Sequence, residues 1–304
     1  MKILITGGCG FIGSHLVEEL AKQNYNLIVV DDLSANNDQF YFLKQDNVEY
    51  HKFDIADESN FEILKTIAKD CKFVFHLAAE TRIQDTINNP KKTIQTNILG
   101  TFYILELCIQ LGVKGLLFSS TSSVYGLTEN TPITENEKES CLNPYASTKY
   151  SAELLIKNYN KLYGVKSCIF RYFNVFGERA PAKGPYSLVT GIFLRQKNNG
   201  EPLTIVGDGT QERDFIYVKD IVAANILAMS KWDTVPEISE ANVFNIGSEK
   251  AITVKQLADA ISSNQTHVSL RKGEARTNLS SSNKFKVLTG WVAKTDILDW
   301  IKTQ

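Results

Sequence analysis

Residues Ile3-Leu-Ile-Thr6 run straight into a turn with glycine at every third position, Gly7, Gly10 and Gly13. Ser14-His-Leu-Val-Glu-Glu-Leu-Ala-Lys22, helical in pattern, follows at once. Strand, glycine turn and helix in that order leave few folds open. Gly7 permits the sharp turn, Gly10 lets the backbone approach a bound group, and Gly13 lets the helix lie close to the strand. Phe11 and Ile12 sit between the last two glycines, where the helix begins. A helix start aims unpaired N–H groups forward, which suits a pyrophosphate. A second strand, Asn26–Val30, ends on Asp31-Asp32 and is followed by Ser34. An acid about 20 residues past such a turn can bind a ribose 2′-hydroxyl and repels a 2′-phosphate. The spacing is three-three rather than the commoner two-three, and the whole unit reads as a dinucleotide site that prefers NAD to NADP.

The chain has 304 residues, enough for two domains or one large α/β unit. Lys and Arg number 33 against 34 Asp and Glu, so no charge excess points to nucleic acid or an anionic membrane. Five cysteines (Cys9, Cys71, Cys108, Cys141, Cys168) are scattered without any C-x-x-C pair, which argues against a disulfide framework or a zinc site; no metal is expected. The N-terminus is already a strand, and no apolar run is long enough to span a bilayer. A cytoplasmic protein without a signal peptide is the expectation.

Strand-like and helix-like segments alternate through the first half, as in a parallel sheet covered on both faces. Further strands are predicted at Val48–Phe53 (leading to Asp54-Ile55), Phe73–Leu77 (leading to Ala78-Ala79), Gly115–Ser120 and Lys166–Tyr172. Helices are predicted at Phe61–Lys69 and Thr93–Leu111. Another starts at Asn143, a good N-cap, with Pro144 at the first helical position. After Asn174 the alternation breaks. A loop from Gly177 to Gly184 leads to a helix over Tyr186–Lys197 and a strand at Leu203–Val206. A helix at Asp220–Ser230 precedes a strand at Asn242–Gly247 that could rejoin the main sheet, and Thr253 caps another helix. The fold class is therefore α/β, a doubly wound parallel Rossmann sheet with a smaller interleaved α/β domain. The cofactor domain is expected over 1–173 with a returning segment of about 214–248. The substrate domain takes about 174–213 and 249–304.

Tyr145-Ala-Ser-Thr-Lys149 puts a phenol and an ammonium one turn apart on a helix face. Free tyrosine has a pKa of about 10; reaching 7 takes roughly 4 kcal/mol of preference for the phenolate. A nearby ammonium and an oxidised nicotinamide can supply it in a shielded cleft. Among twelve tyrosines, only Tyr145 has lysine four residues on. The hydroxyl-rich loop Ser119–Ser123 precedes it.

These motifs occur in order with His76-Leu-Ala-Ala79, Asn97, Phe118–Gly126, Arg171-Tyr-Phe-Asn-Val-Phe-Gly177, Gly207–Asp220 and Arg271-Lys-Gly-Glu274. Together they resemble the extended short-chain dehydrogenase/reductases, the NAD-dependent epimerases and dehydratases of nucleotide sugars, over nearly the whole chain. The resemblance implies a catalytic triad of Thr121, Tyr145 and Lys149. It places Asp31, Asp54 and Ile55 at the adenosine half of NAD, and Leu77, Ala78, Ser119, Lys149 and Tyr172 on the nicotinamide side; Ala79 and Asn97 join the cofactor set. Asn174 and Leu203 would touch the diphosphate sugar, Arg213 and Arg271 its phosphates, and Glu274 the nucleotide ribose. Glu274 departs mildly from the family's usual Asp. Salt bridges from Arg213 to Asp214 or Asp220 are the plainer alternative for that arginine.

Within the resemblance, dehydratases carry Asp-Glu after the catalytic hydroxyl and decarboxylases a Glu. Here Ser122-Ser123 stand there and neither shuttles protons at neutral pH. Hydride transfer with one acid/base remains, which describes 4-epimerisation of a UDP-hexose or UDP-N-acetylhexosamine. A 4-keto-sugar reductase using exchangeable NAD(P)H and a non-catalytic dinucleotide-binding protein are the alternatives. The resemblance also puts Asn278 at the site gating the C2 substituent; the alternative is a cap on a turn before Ser280. Helices around Asn97–Leu111 and Tyr150–Tyr163 look apolar over a wide arc, so a homodimer is expected through Ile98, Phe102, Leu105, Ile109, Leu154 and Tyr159.

Overall fold

The computed structural model describes residues 1–35, 41–128, 130–181, 188–269 and 277–304. Seven strands form one parallel sheet: β1 (Lys2–Thr6), β2 (Asn26–Asp31), β3 (Val48–Lys52), β4 (Cys71–His76), β5 (Gly115–Thr121), β6 (Ser167–Tyr172) and β10 (Glu240–Ile246). Their order is β10-β6-β5-β4-β1-β2-β3, every pair parallel. Alternate residues feed opposite faces. Ile3, Ile5, Phe73, Phe75, Leu117, Cys168 and Phe170 pack under helices α1 (Phe11–Lys22) and α8 (Val218–Ser230). Leu4, Val74, Leu116, Phe118 and Ile169 pack under α2 (Phe61–Ile67), α5 (Gly100–Leu111) and α6 (Pro144–Tyr163). Burial on both faces is why these strands read as nearly continuous apolar runs.

The predicted strands and helices of this half are present within a few residues, with one difference of kind. The expected helix Thr93–Leu111 is three pieces: α4 (Pro90–Ile94, after α3 at Ile83–Asn88), a π-helical turn over Gln95–Leu99, and α5. The wider turn carries Asn97 inward, where its side-chain amide satisfies both backbone groups of Glu80 (2.8 and 2.9 Å) and reaches Thr148 Oγ1 at 3.0 Å. Asn143 caps α6 as expected, accepting from Ala146 N–H at 2.9 Å, and Gly164 ends it at φ 71°.

The second half builds a smaller layer. β7 (Asn174–Phe176), β9 (Glu212–Tyr217) and β11 (Ala251–Thr253) form a three-stranded sheet; β8 (Leu203–Val206) pairs with β12 (Gln265–Val268). Around them pack α7 (Val189–Asn198), α9 (Val254–Ile261) and α11 (Ile297–Ile301) over a core of Phe176, Phe193, Leu203, Ile205, Phe215, Leu257 and Trp300. Thr253 caps α9 in a full capping box with Gln256. The chain passes back to the large sheet through α8, and β10 joins β6 at its edge. α10 (Asn283–Thr289) then sends Phe285 against Phe170 and Phe244. The expected helix start at Tyr186 lies outside the described residues.

Leu105 differs from expectation: it is 0% exposed inside the core beneath α5, so it faces its own sheet rather than a partner. Ile109 (40%) and Leu154 (44%) are exposed; Ile98, Phe102 and Tyr159 are half-buried. All five cysteines are free thiols and four are buried. No helix among the described residues is long and apolar enough to cross a membrane.

Candidate active site

A cleft of about 860 Å³ runs along the carboxyl ends of β1, β2, β4, β5 and β6 and is closed on its far side by the small sheets. This is where open parallel sheets bind ligands. At one end lies the glycine turn. A Cβ on Gly7, whose φ is 71°, would come 2.6 Å from Ala78 N, and one on Gly13 would come 2.1 Å from Gly7 O. Only glycine permits these approaches, and they hold α1 so that Gly10, Phe11 and Ile12 face the cleft. Asp31 ends β2 and accepts from the N–H groups of Cys9 and Leu33, both at 2.9 Å. Burial pushes its carboxyl up, and the two backbone donors pull it back. Asp32 holds Ser34 through the backbone N–H (2.9 Å) and hydroxyl (2.6 Å), and Asp54 accepts from Ala56 N–H at 2.8 Å. Ile55, Leu77, Ala78 and Ala79 complete the wall of this end.

Thr121, Tyr145 and Lys149 meet at mid-cleft. Thr121 ends β5 and caps the following 3₁₀ turn, accepting from Ser123 N–H and donating to Ser123 Oγ, both at 3.1 Å. The Tyr145 side chain lines the same wall of the cleft as Thr121. Burial pushes its phenol up, and the Thr121 hydroxyl pulls it down. Lys149 is buried with its ammonium 4.3 Å above the Phe118 ring. Burial lowers it to about 7, against an upward pull from Glu153. Thus the chain alone does not hold Tyr145 low; a positive charge in the cleft has to complete the shift. Beneath them His76, held by Thr6 (2.7 Å) and Thr101 (3.0 Å), is pushed down to about 3 by burial and stays neutral. The Tyr172 hydroxyl accepts from Ser119 (3.1 Å) and Asn225 (2.8 Å), which fixes its ring in the wall.

At the far end Asn174, Arg213 and Asn278 line the cleft. They come from β7, β9 and the segment before α10, and buried Asp214 joins all three. Its backbone O accepts from Asn174 Nδ2 (2.9 Å), and its N–H bonds Asn278 O (2.7 Å). Its carboxylate accepts from Ser248 N–H and Oγ, Glu249 N–H, and Ser280 N–H and Oγ. The Asp214 carboxylate is taken up by these donors, and Asp220 Oδ2 accepts from the N–H groups of Lys294 and Thr295, both at 3.0 Å. Asn278 Nδ2 reaches Ser122 Oγ at 3.3 Å, and its Oδ1 is buried with no partner among the described residues.

Two expected site residues sit elsewhere. Leu203 is 0% exposed in the core of the small layer; the pleat of β8 turns Thr204 and Val206, not Leu203, into the cleft. Asn97 lies behind the wall, bracing Glu80. Arg271 and Glu274 fall outside the described residues. Sequence reasoning missed Asp214, Asn225 and the buried pair Arg171–Glu153. Its signal was present: an arginine inside the apolar strand Ser-Cys-Ile-Phe-Arg-Tyr requires a buried partner.

Comparison with known proteins places this geometry. A model described as the NAD dependent epimerase/dehydratase family matches residues 3–247. The structure of the UDP-glucose 4-epimerase of Thermotoga maritima with UDP-glucose is 35% identical, with a TM-score of 0.91 over 99% of this chain and 96% of that one. The UDP-N-acetylglucosamine 4-epimerase of Methanobrevibacter ruminantium M1, in complex with UDP-N-acetylmuramic acid, is 31% identical, with a TM-score of 0.87 over 100% and 98%. The UDP-glucose 4-epimerase of Rhizobium meliloti is 30% identical over 97% of this chain and 93% of its own length.

Proposed function

This chain belongs to the NAD-dependent epimerase/dehydratase family, and from that premise we propose that it interconverts the C4 epimers of a UDP-hexose or UDP-N-acetylhexosamine. The observation that carries the reading is the proton carrier at mid-cleft: Tyr145 lines the cleft with Thr121 and Lys149, and Ser122 and Ser123 stand where a second acid and base would be. The glycine cradle, whose approaches a Cβ would block, fits a dinucleotide, with Asp31, Asp32, Ser34 and Asp54 toward its adenosine half. Bound NAD supplies a hydride acceptor and donor and adds positive charge to the cleft when oxidised. The chain's residues do the rest. Tyr145 takes the proton from O4 of the sugar and returns it to the same oxygen once the sugar has turned its other face, Thr121 holds that oxygen in line, and the Lys149 ammonium favours the phenolate. Asn174 and Arg213 anchor the diphosphate while the sugar turns, since guanidinium–phosphate contacts are strong and directional. Asn278 lines the cleft where the C2 substituent would sit, and asparagine there leaves room for an acetamide.

The same reading gives a cytoplasmic homodimer joined through the exposed apolar residues of α5 and α6, with residues 1–173 and a returning segment holding the cofactor and the remainder holding the sugar. Sedimentation at micromolar concentration tests the dimer, and a monomer refutes it. The function is tested by incubating purified protein with UDP-hexoses and no added cofactor, following products by NMR. Epimer formation is expected. Turnover only with added NADH or NADPH means a reductase, and none across the panel means a binding protein.

A further inference from the structure

Arg171 is a fully buried arginine at the end of β6, directly behind the catalytic centre. Its Nε and one Nη grip Glu153 at 3.0 and 2.6 Å, and Glu139 adds a contact at 2.7 Å. The guanidinium stacks 4.7 Å from the Tyr125 ring. Ser120 Oγ donates to the same Glu153 carboxylate at 2.5 Å. Both Glu153 oxygens are therefore occupied. Glu153 stands four residues beyond Lys149 on α6, on the same face, and is itself 0% exposed. Yet no ion pair joins the two side chains, and among the described residues Lys149 makes none with any other group. A lone buried ammonium is costly and sheds its proton readily. A glutamate free to swing would remove that problem by pairing with Lys149 directly, which would draw the ammonium away from the phenol it serves.

We propose that Glu153 is a positioning residue for the reaction, its carboxylate clamped by Arg171 and Ser120 so that it acts as a fixed counter-charge to Lys149 without touching it. The proposal rests on the epimerase reading for its purpose, and on geometry for its existence. The charged and titratable groups facing Lys149 are few. His76 from β4 is neutral, Tyr145 and Glu153 come from α6, and Arg171 with Glu139 lies behind Glu153. Glu153 is the only one of these that raises the lysine's hold on its proton by Coulomb attraction, and burial opposes it. Removing the negative charge makes Lys149 lose its proton at lower pH.

The test is the NAD-bound protein with Glu153→Gln and Glu153→Asp, read in two ways. The first is the pH profile of kcat/KM for the UDP-hexose. The alkaline fall in activity is expected about 1 pH unit lower in Glu153→Gln than in wild type, and near the wild-type position in Glu153→Asp, which keeps the charge. The second is NMR titration of ¹³Cε-labelled lysine, with Lys149 assigned by its loss in Lys149→Met; its midpoint should move by the same amount. The NMR readout needs no turnover, so failure of the epimerase reading and failure of this one are distinguishable. An unmoved midpoint in Glu153→Gln, or equal shifts in Gln and Asp variants, overturns the proposal and leaves Glu153 a packing residue. If Glu153→Gln does not fold, the double replacement Glu153→Met with Arg171→Met exchanges the ion pair for apolar chains, a change buried pairs commonly tolerate. The midpoint should fall there too, by less than in Glu153→Gln because the Arg171 charge behind Glu153 goes as well, and a midpoint that stays or rises overturns the proposal equally.

Discussion

The two ends of the cleft are built by different means. At the dinucleotide end, the shape comes from backbone: glycines that admit contacts no Cβ could, and carboxylates of Asp31, Asp32 and Asp54 that each accept from N–H groups two residues on. At the sugar end, side chains from β7, β9 and the segment before α10 converge, and one buried carboxylate, Asp214, ties them together. A short stretch of chain suffices to specify the first. The second depends on contacts between residues far apart in sequence. The first end should therefore be rigid and particular, while the second can change its occupant by small substitutions without losing the fold.

The largest effect should fall between the two ends. Tyr145→Phe removes the proton carrier and keeps the ring, so kcat should drop by about 10⁴, the upper range for general acid–base catalysis, with NAD still bound. Near-normal turnover would refute the mechanism. Asp214→Asn should strike the sugar end alone. It turns an N–H toward donors of Ser248, Glu249 and Ser280, leaving buried groups unpaired at about 2–3 kcal/mol. The UDP-sugar KM should rise roughly 30–100-fold with NAD content unchanged; loss of NAD would dissolve the distinction drawn here. Gly13→Ala is the mirror experiment. Its Cβ meets backbone, which cannot yield as a side chain does, and about 1–3 kcal/mol of stability should go along with NAD retention. Thermal denaturation and NAD content of the purified protein report both. The smallest effect tests how easily the sugar end is retuned. Asn278→Tyr should lower kcat/KM for UDP-N-acetylglucosamine about tenfold relative to UDP-glucose, through lost space and a lost hydrogen bond. An unchanged ratio would remove Asn278 from the gate.

This contrast also explains what was legible beforehand. The order of strands and helices to Tyr172 follows from apolar runs and glycine spacing, and β10 is recognisable as a returning strand from Asn242-Val-Phe-Asn-Ile246. Asn143, Pro144 and Thr253 mark their helices by cap chemistry. The π-helical turn left no such mark, because the bonds it places, from Asn97 to Glu80, are tertiary and have no local pattern. Leu203 was misplaced toward the cleft because the resemblance marks a position along the chain and not the direction of its side chain; the pleat of β8 sends Leu203 into the core and Thr204 into the cleft. Asp214 was overshadowed by its neighbour Arg213. A buried acid that joins loops has no local pattern, since its partners lie at Ser248 and Ser280. Lys149 and Tyr145 were found by spacing, but their opposed proton affinities arise from burial.

The placement of β10 has a consequence for how the protein is made. The last strand of the large sheet is synthesised only after the whole of β7, β8, β9 and α8. Until then β6, all six of whose residues are buried in the finished molecule, is an open edge with unpaired N–H and C=O groups. A ribosome adding about 5–20 residues per second leaves that edge uncovered for several seconds. A nascent chain stalled in this interval presents a template on which another copy can add a strand. Expression yield should therefore respond to slow codons between residues 173 and 240 more sharply than to equally slow codons after Ile246.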